Sequence, residues 1–183
     1  PLGMMIENRD FSLERQPEIF NPRPGHADLA GLLKYGFADA RPVLERASAR
    51  ETSARVAVGA VGKILLSEFD IALTSKVLAI GAKTSQEAMR QAIDQAIQRK
   101  DSLGGVFEVR IKGVPAGFGS YVQPGKRLNA RLSQAVISIP GIKAIEFGLG
   151  CECANRFGSK VHDAIFYSKE RGYYRKTNNA GGI

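Results

Sequence analysis

The residues best suited to chemistry lie within one stretch, residues 21–52. One of the two histidines, His26, follows the turn-forming pair Pro24-Gly25, so it should lie where a loop leads into a helix. Three arginines lie close to expected helix starts: Arg23, Arg46 and Arg50. A helix N-terminus flanked by guanidinium groups is a ready anion site. The stretch therefore predicts a phosphate- or carboxylate-binding pocket with one histidine available for proton transfer.

Ser48 and Glu51 have the Ser-x-x-Glu spacing of a capping box, in which two side chains satisfy backbone N–H groups at a helix start. The spacing predicts a helix that begins here, with arginines at its N-terminus. Two interpretations remain open. In the first, this helix start and His26 form one ligand-binding site. In the second, Ser48 and Glu51 only cap a helix, and the arginines only solvate its end.

The composition fits one domain with its own core: 183 residues, 44% hydrophobic and 24% charged. An excess of 26 basic over 18 acidic residues gives a net charge of +8. That charge suits an anionic partner, such as nucleic acid, an acidic membrane or a phosphorylated small molecule. The basic residues are scattered, and few aromatic residues lie among them, which argues against a nucleic-acid groove.

Neither a membrane segment nor a metal site is predicted. No apolar run is long enough to span a bilayer, and nothing resembles a signal peptide. Cys151 and Cys153 are one residue apart, a spacing that allows only a strained disulfide, and no further cysteine or histidine pair completes a zinc site. We therefore expect two reduced thiols in a cytoplasmic protein.

Apolar periodicity predicts interleaved helices and strands. Helices are expected over residues 27–37, 51–69, 84–100 and 128–136. Strands are expected over residues 4–6, 71–80, 106–112, 142–147, 164–167 and 173–175. Because the strands alternate between apolar and polar residues, an α+β fold with layered antiparallel sheets is favoured over a doubly wound parallel sheet.

Local signals refine these elements. Gly36 is the expected stop of the first helix, and Thr84 with Glu87 repeats the capping-box spacing. The helix over residues 51–69 is rich in alanine and glycine, which predicts burial between layers. Residues 11–22 are polar and proline-containing, so a loop is expected.

Several motifs together resemble the chorismate synthase family. The strongest are residues 23–28 (Arg-Pro-Gly-His-Ala-Asp) and 46–52 (Arg-Ala-Ser-Ala-Arg-Glu-Thr). Further matches lie at residues 6–10, 101–105, 113–117, 119–122, 138–140 and 177–182. The resemblance implies a layered β-α-β sandwich, with antiparallel sheets around central helices, assembled as a homotetramer.

The resemblance also implies an activity. Such enzymes are lyases that convert 5-enolpyruvylshikimate 3-phosphate to chorismate, losing phosphate and a C6 proton in a 1,4-elimination of the shikimate pathway of aromatic amino-acid biosynthesis. They need reduced FMN (FMNH2), which is not consumed overall. Whether a flavin reductase activity is built in or supplied by a separate partner is left open.

The resemblance also implies roles for individual residues of this chain that lie in the matching motifs. His26 resembles the histidine near the flavin that acts as an acid toward flavin or substrate. Arg23 and Arg50 resemble substrate-binding arginines, a role that suits fixed charge and bidentate geometry.

The flavin contacts are carried over in the same way. Arg46, Ala47 and Ser48 match a segment that lies against FMN, where Ser48 could also act on the substrate. Pro140 and Gly141 match a second FMN contact, for which many relatives have Asn-Ala, so that contact here would involve the backbone only. His162 matches no catalytic motif, and a structural or surface role is expected for it.

The resemblance covers only the middle of the family's chain. An N-terminal part with another catalytic histidine would precede Pro1, and a C-terminal part with further FMN contacts and a catalytic aspartate would follow Ile183. Many relatives carry a longer insert between Ala82 and Lys83.

We expect a single chorismate synthase-like domain over residues 1–183, as a fragment or as the ordered part of a longer protein. The alternatives are an inactive fragment or a basic module that only binds anionic ligands. The hypothesis of an RNA-binding protein rests on the net charge alone. Neither nucleic acid nor membrane is an expected partner.

Overall fold

The computed structural model describes residues 2–10, 12 and 15–183, which fall into two units. The first unit consists of residues 3–54 and 117–183, and the second of residues 55–116 together with Leu2. Each unit is described by itself. That the whole chain forms a single domain stays a prediction.

In the first unit, helices α1 (Asp28–Tyr35) and α2 (Arg41–Arg46) pack against each other through a glycine. A Cβ atom at Gly31 would lie only 2.4 Å from Cγ1 of Val43, so the close approach of the two helices requires glycine. Gly31, Val43 and Ala40 are buried. This small core fixes the two segments from which the candidate site residues project.

The remaining α-helices are α3 (Glu51–Ser67), α4 (Gln86–Arg99) and α5 (Leu128–Ile137). All four predicted helices are therefore present. Gly36 ends α1 as predicted, with the left-handed backbone conformation that glycine favours (φ 67°). The capping prediction for α4 was wrong by one residue. Ser85, not Thr84, is the N-cap, and its hydroxyl accepts a hydrogen bond from the Ala88 N–H.

In the second unit, strands β1 (Ala72–Ile80) and β2 (Gly105–Lys112) form an antiparallel pair against which α4 packs. Ala72 lies opposite Lys112 and Ile80 opposite Gly105, with one irregularity between Val77 and Ala79. The alternating residues of β2 predicted this antiparallel pairing.

A second antiparallel hairpin lies in the first unit, formed by β3 (Ile165–Ser168) and β4 (Gly172–Arg175). Cross-strand aromatic pairs hold it together, with ring centroids 5.7 Å apart for Phe166 and Tyr174 and 5.1 Å apart for Tyr167 and Tyr173. With helices and antiparallel sheets in the described chain, the α+β prediction is confirmed.

Two predicted strands were wrong. Residues 4–6 and 142–147 have neither helix nor strand conformation. Alternating apolar residues show which face of a strand would be buried, but a strand forms only where a neighbouring strand takes up its backbone hydrogen bonds. In the predicted loop 11–22, residues 11, 13 and 14 lie outside the described residues, and residues 16–22 contain neither helix nor strand.

The burial predicted for α3 was also wrong. None of its residues is buried, and Val56 and Ile64 are 66% and 65% exposed. A stripe of small and apolar residues shows which face a neighbour would cover, and a covering neighbour is a separate, tertiary requirement.

Candidate anion-binding site

Arg23 is held by a buried carboxylate. Its Nε lies 2.8 Å from Oδ2 of Asp28 and its Nη2 lies 3.0 Å from Oδ1, so the guanidinium binds the carboxylate in a bidentate manner. The backbone N–H of Arg23 also donates to Oδ2 at 3.0 Å. Asp28 is completely buried in the first turn of α1. Hydrogen bonds from Arg23 lower the pKa of Asp28 from 3.8 to about 2, against the opposing effect of burial.

The same turn orients His26. Gly25 has a positive φ of 72°, and the His26 N–H donates to the Arg23 carbonyl at 3.4 Å. The imidazole Nδ1 lies 2.9 Å from the Pro24 carbonyl oxygen. Because a carbonyl only accepts, a hydrogen bond here requires that Nδ1 carry the proton, which leaves Nε2 available to a ligand. The side chain is exposed, as a proton donor to a ligand must be.

The second predicted segment follows the end of α2. Arg46 is the last helical residue, and Ala47 is the C-cap. The Arg46 guanidinium is 84% exposed and lies 3.5 Å from Oε2 of Glu51, so the contact is weak.

The chain then turns into α3 without the predicted capping geometry at Ser48. In a capping box, the Ser48 hydroxyl would accept a hydrogen bond from the Glu51 N–H. It accepts instead from the N–H of the preceding residue, Arg50, at 3.3 Å. The Ser48 carbonyl accepts from the Glu51 N–H at 3.1 Å. Serine therefore shapes a tight turn ahead of the helix.

Arg50 is paired with an acid 40 residues earlier in the chain. Its Nη2 lies 2.7 Å from Oδ2 of Asp10. The arginine side chain is 54% exposed and that of Asp10 is 36% exposed. Hydrogen bonds from Ser12 and then from Arg50 lower the pKa of Asp10 to about 2, so this acid is ionised at neutral pH.

The predicted flavin-contact pair Pro140-Gly141 lies in a turn of its own after α5. Gly141 has a φ of 89°, a left-handed conformation that strains any residue with a side chain. The Ile142 N–H donates to the Ile139 carbonyl at 3.2 Å and closes the turn. The backbone conformation thus explains glycine at this position.

The structure connects the predicted site residues in two groups. Arg23 and His26 share the turn before α1, while Arg46, Ser48 and Arg50 share the turn between α2 and α3. Because α1 packs on α2, both turns flank the same pair of helices within the first unit. The second histidine, His162, is exposed, with its Nε2 near the backbone of Gly158.

Among the aspartates of the first unit that were not singled out from the sequence are Asp28, Asp10 and Asp163. Asp163 accepts hydrogen bonds from the Thr177 hydroxyl at 2.5 Å and from the N–H groups of Asn179 and Ala180 at 2.7 and 3.0 Å. These bonds lower its pKa. Of the three, only Asp28 could have been linked to its partner from the sequence, because it follows Arg23 by only five residues.

Other site types are absent from the residues that the structure describes. No group of three or more histidine, cysteine, aspartate or glutamate side chains could hold a metal ion there. Over the same residues, no helix has both the length and the apolar character needed to cross a membrane.

The arginines and the oriented histidine make the turns that flank α1 and α2 the candidate anion-binding site of an α+β fold. The chain belongs to the chorismate synthase family, whose model matches residues 1–183. It is 54% identical over 186 residues to the chorismate synthase of Thermoanaerobacter pseudethanolicus and 52% identical to that of Caldanaerobacter subterraneus subsp. tengcongensis. Both alignments cover 100% of this chain and 53% of the relative.

The fold agrees with the same family. A crystal structure of chorismate synthase matches with a TM-score of 0.82 at 43% identity, covering 86% of this chain and 57% of that one. The family resemblance of the sequence motifs is thereby confirmed. The chain spans about half the length of the curated relatives it matches.

Proposed function

We propose that this chain forms the substrate-binding part of a chorismate synthase, a lyase that eliminates phosphate and the C6 proton from 5-enolpyruvylshikimate 3-phosphate to give chorismate. The observation that carries the proposal is the family match along the whole chain, with the arginine and histidine motifs intact. The pathway is then the shikimate route to aromatic amino acids.

Arg23 and Arg50 are proposed to bind the anionic groups of the substrate. A guanidinium has five N–H donors. Two of those on Arg23 contact Asp28, and its side chain is still 44% exposed, so donors remain accessible to a phosphate or carboxylate. Fixed positive charge beside the leaving phosphate stabilises the negative charge that develops as the C–O bond breaks.

His26 is proposed as the proton-transfer residue. The Pro24 carbonyl fixes the ring through Nδ1, which leaves Nε2 to hold or deliver a proton. No other imidazole is part of either arginine-bearing turn, since His162 lies elsewhere in the chain.

The residues proposed to contact reduced FMN carry groups that suit it. The exposed Arg46 guanidinium, the turn through Ala47 and Ser48, and the backbone of Pro140 and Gly141 offer charge, a hydroxyl and backbone polar groups, a donor set suited to a phosphate and a flavin ring. When bound, reduced FMN supplies the electron-rich ring that the elimination needs. The chain's own part is to hold that ring and to keep the substrate's anionic groups beside it.

The partners follow from the same proposal. We propose a cytoplasmic homotetramer of a single-domain subunit that takes reduced FMN, with a flavin reductase either built in or separate. The net charge of +8 serves small anionic ligands in this proposal, rather than nucleic acid.

The test is phosphate release when the chain is mixed under anaerobic conditions with reduced FMN and 5-enolpyruvylshikimate 3-phosphate. Release with formation of chorismate supports the proposal, whereas substrate binding without release identifies a binding module. His26→Ala should abolish turnover and leave flavin binding, followed by flavin absorbance, largely unchanged. His162→Ala is the matched control and should retain turnover. Full turnover in His26→Ala would remove His26 from the mechanism.

A further inference from the structure

Arg50 already has an anionic partner within the chain. Asp10 places one carboxylate oxygen, Oδ2, 2.7 Å from Nη2 of Arg50. The two residues are 40 positions apart, so this pair forms only through the fold of the first unit. The carboxylate occupies a donor that an anionic ligand at Arg50 would also use.

The Asp10 carboxylate is held in position by its neighbours. Ser12 donates its N–H at 3.1 Å and its hydroxyl at 2.5 Å to Oδ1, which leaves Oδ2 directed to the arginine. The Asn8 side chain accepts from the Asp10 N–H at 3.1 Å and fixes the backbone there. An intramolecular acid held in this way competes at a high effective concentration.

The pair is nevertheless replaceable. Arg50 and Asp10 are 54% and 36% exposed, and ion pairs of this exposure contribute little net free energy. A phosphate ester with two negative charges gains more from Arg50 than a single carboxylate does, since Coulomb attraction scales with charge. A ligand with one charge has no such advantage over Asp10.

We propose that Asp10 competes with anionic ligands for Arg50, so that an anion binds there only when its own attraction to Arg50 exceeds that of the intramolecular carboxylate. The inference rests on the proposed function, in which Arg50 binds an anionic group of the substrate. Asp10 itself takes no part in the chemistry. Its effect is to set how strongly an anion must attract Arg50 before the arginine leaves the Asp10 carboxylate.

The experiment titrates the full chain with inorganic phosphate at fixed ionic strength and follows the backbone amide signals of residues 48–51 by NMR. Fixed ionic strength is needed because exposed charges are screened by salt. Asp10→Asn keeps the shape of the side chain and removes its charge. We expect its phosphate dissociation constant to fall about two- to fivefold, the range that corresponds to an exposed ion pair. Acetate binding should improve by no larger a factor than phosphate binding, because displacing Asp10 costs every ligand the same free energy and the displaced carboxylate repels a singly charged anion less.

Glu108→Gln is the matched control, because it also removes one negative charge and one arginine contact, the 2.6 Å pair with Arg110 in the second unit. It should leave phosphate binding at residues 48–51 unchanged. Ser12→Ala keeps the charge of Asp10 but loosens the carboxylate, and a smaller improvement in the same direction is expected.

Arg50→Ala separates this inference from the proposed function. It should weaken phosphate binding, and adding Asp10→Asn to it should have no further effect. If Arg50→Ala leaves phosphate binding unchanged, or no variant responds to phosphate, the anion-binding role of Arg50 and the inference both fail. If Arg50→Ala weakens binding but Asp10→Asn leaves it unchanged or weakens it, only the competition by Asp10 is overturned.

Discussion

At the scale of single residues, carboxylates determine how the arginines of the first unit are presented. Asp28 binds Arg23 from a buried position, while Asp10 binds Arg50 at an exposed one. The buried pair fixes the turn that carries His26, and the exposed pair can exchange with a ligand. Two arginines that look equivalent in sequence therefore have different surroundings.

Asp28→Asn should destabilise the fold by about 1.5–3 kcal/mol, the range for hydrogen bonds to charged groups. The amide cannot accept both guanidinium N–H groups as the carboxylate does, and it is completely buried at this position. Urea unfolding of both proteins measures the difference. Glu108→Gln, which alters an exposed pair, should change stability little. Equal effects of the two substitutions would show that burial at Asp28 has no energetic consequence.

The pH dependence of stability follows from the same residue. The folded pKa of Asp28 is about 2 against an ordinary 3.8, so the unfolded chain binds the proton more readily at acid pH. Its contribution is complete above about pH 5, and it is lost as the pH falls through 3.8 toward 2. Unfolding midpoints between pH 2 and pH 6 should fall less steeply in Asp28→Asn than in the unsubstituted chain. Parallel curves would assign the acid sensitivity to other carboxylates.

Cys151 should react with iodoacetamide at pH 8 more slowly than an exposed thiol usually does. A hydrogen bond to Glu146, together with the charge of that carboxylate, raises the pKa of the Cys151 thiol, and only the thiolate reacts. Glu146→Gln should speed alkylation of Cys151, measured by peptide mass spectrometry. An unchanged rate would mean that Glu146 does not control the thiol.

At the scale of elements, the contact between α1 and α2 depends on one missing side chain. A Cβ atom at Gly31 would overlap Val43, and the turns on either side of the helix pair carry the site residues. The packing of these two short helices therefore sets the positions of the turns that carry the arginines and the histidine.

Gly31→Ala should destabilise the chain by about 1–3 kcal/mol, because the added methyl overpacks the contact with Val43. Gly59→Ala is the matched control: it lies within α3 with no atom near the added methyl, and should stabilise by about 0.5–1 kcal/mol. Thermal unfolding checks both. Combining Gly31→Ala with Val43→Ala should recover part of the loss, and no recovery would place the clash elsewhere.

At the scale of the whole molecule, family membership rests on motifs distributed along the chain and on the fold together. The chain spans about half the length of its curated relatives, so the activity of the whole protein is a proposal. The exposed apolar residues of α3 are a property of the chain as described. The sequence predicted which face these residues share, but their burial depends on what packs against them.

The sequence by itself determined the types of residue available for chemistry, the four long helices and the paired strands. Helix periodicity, a glycine stop at Gly36 and alternation in β2 act over a few residues, so they can be read locally. The tertiary structure alone decided that Asp10 meets Arg50 and that residues 142–147 find no partner strand among the described residues. The physical reason is that ion pairs and strand pairs join positions far apart in the chain, and which positions meet depends on the fold.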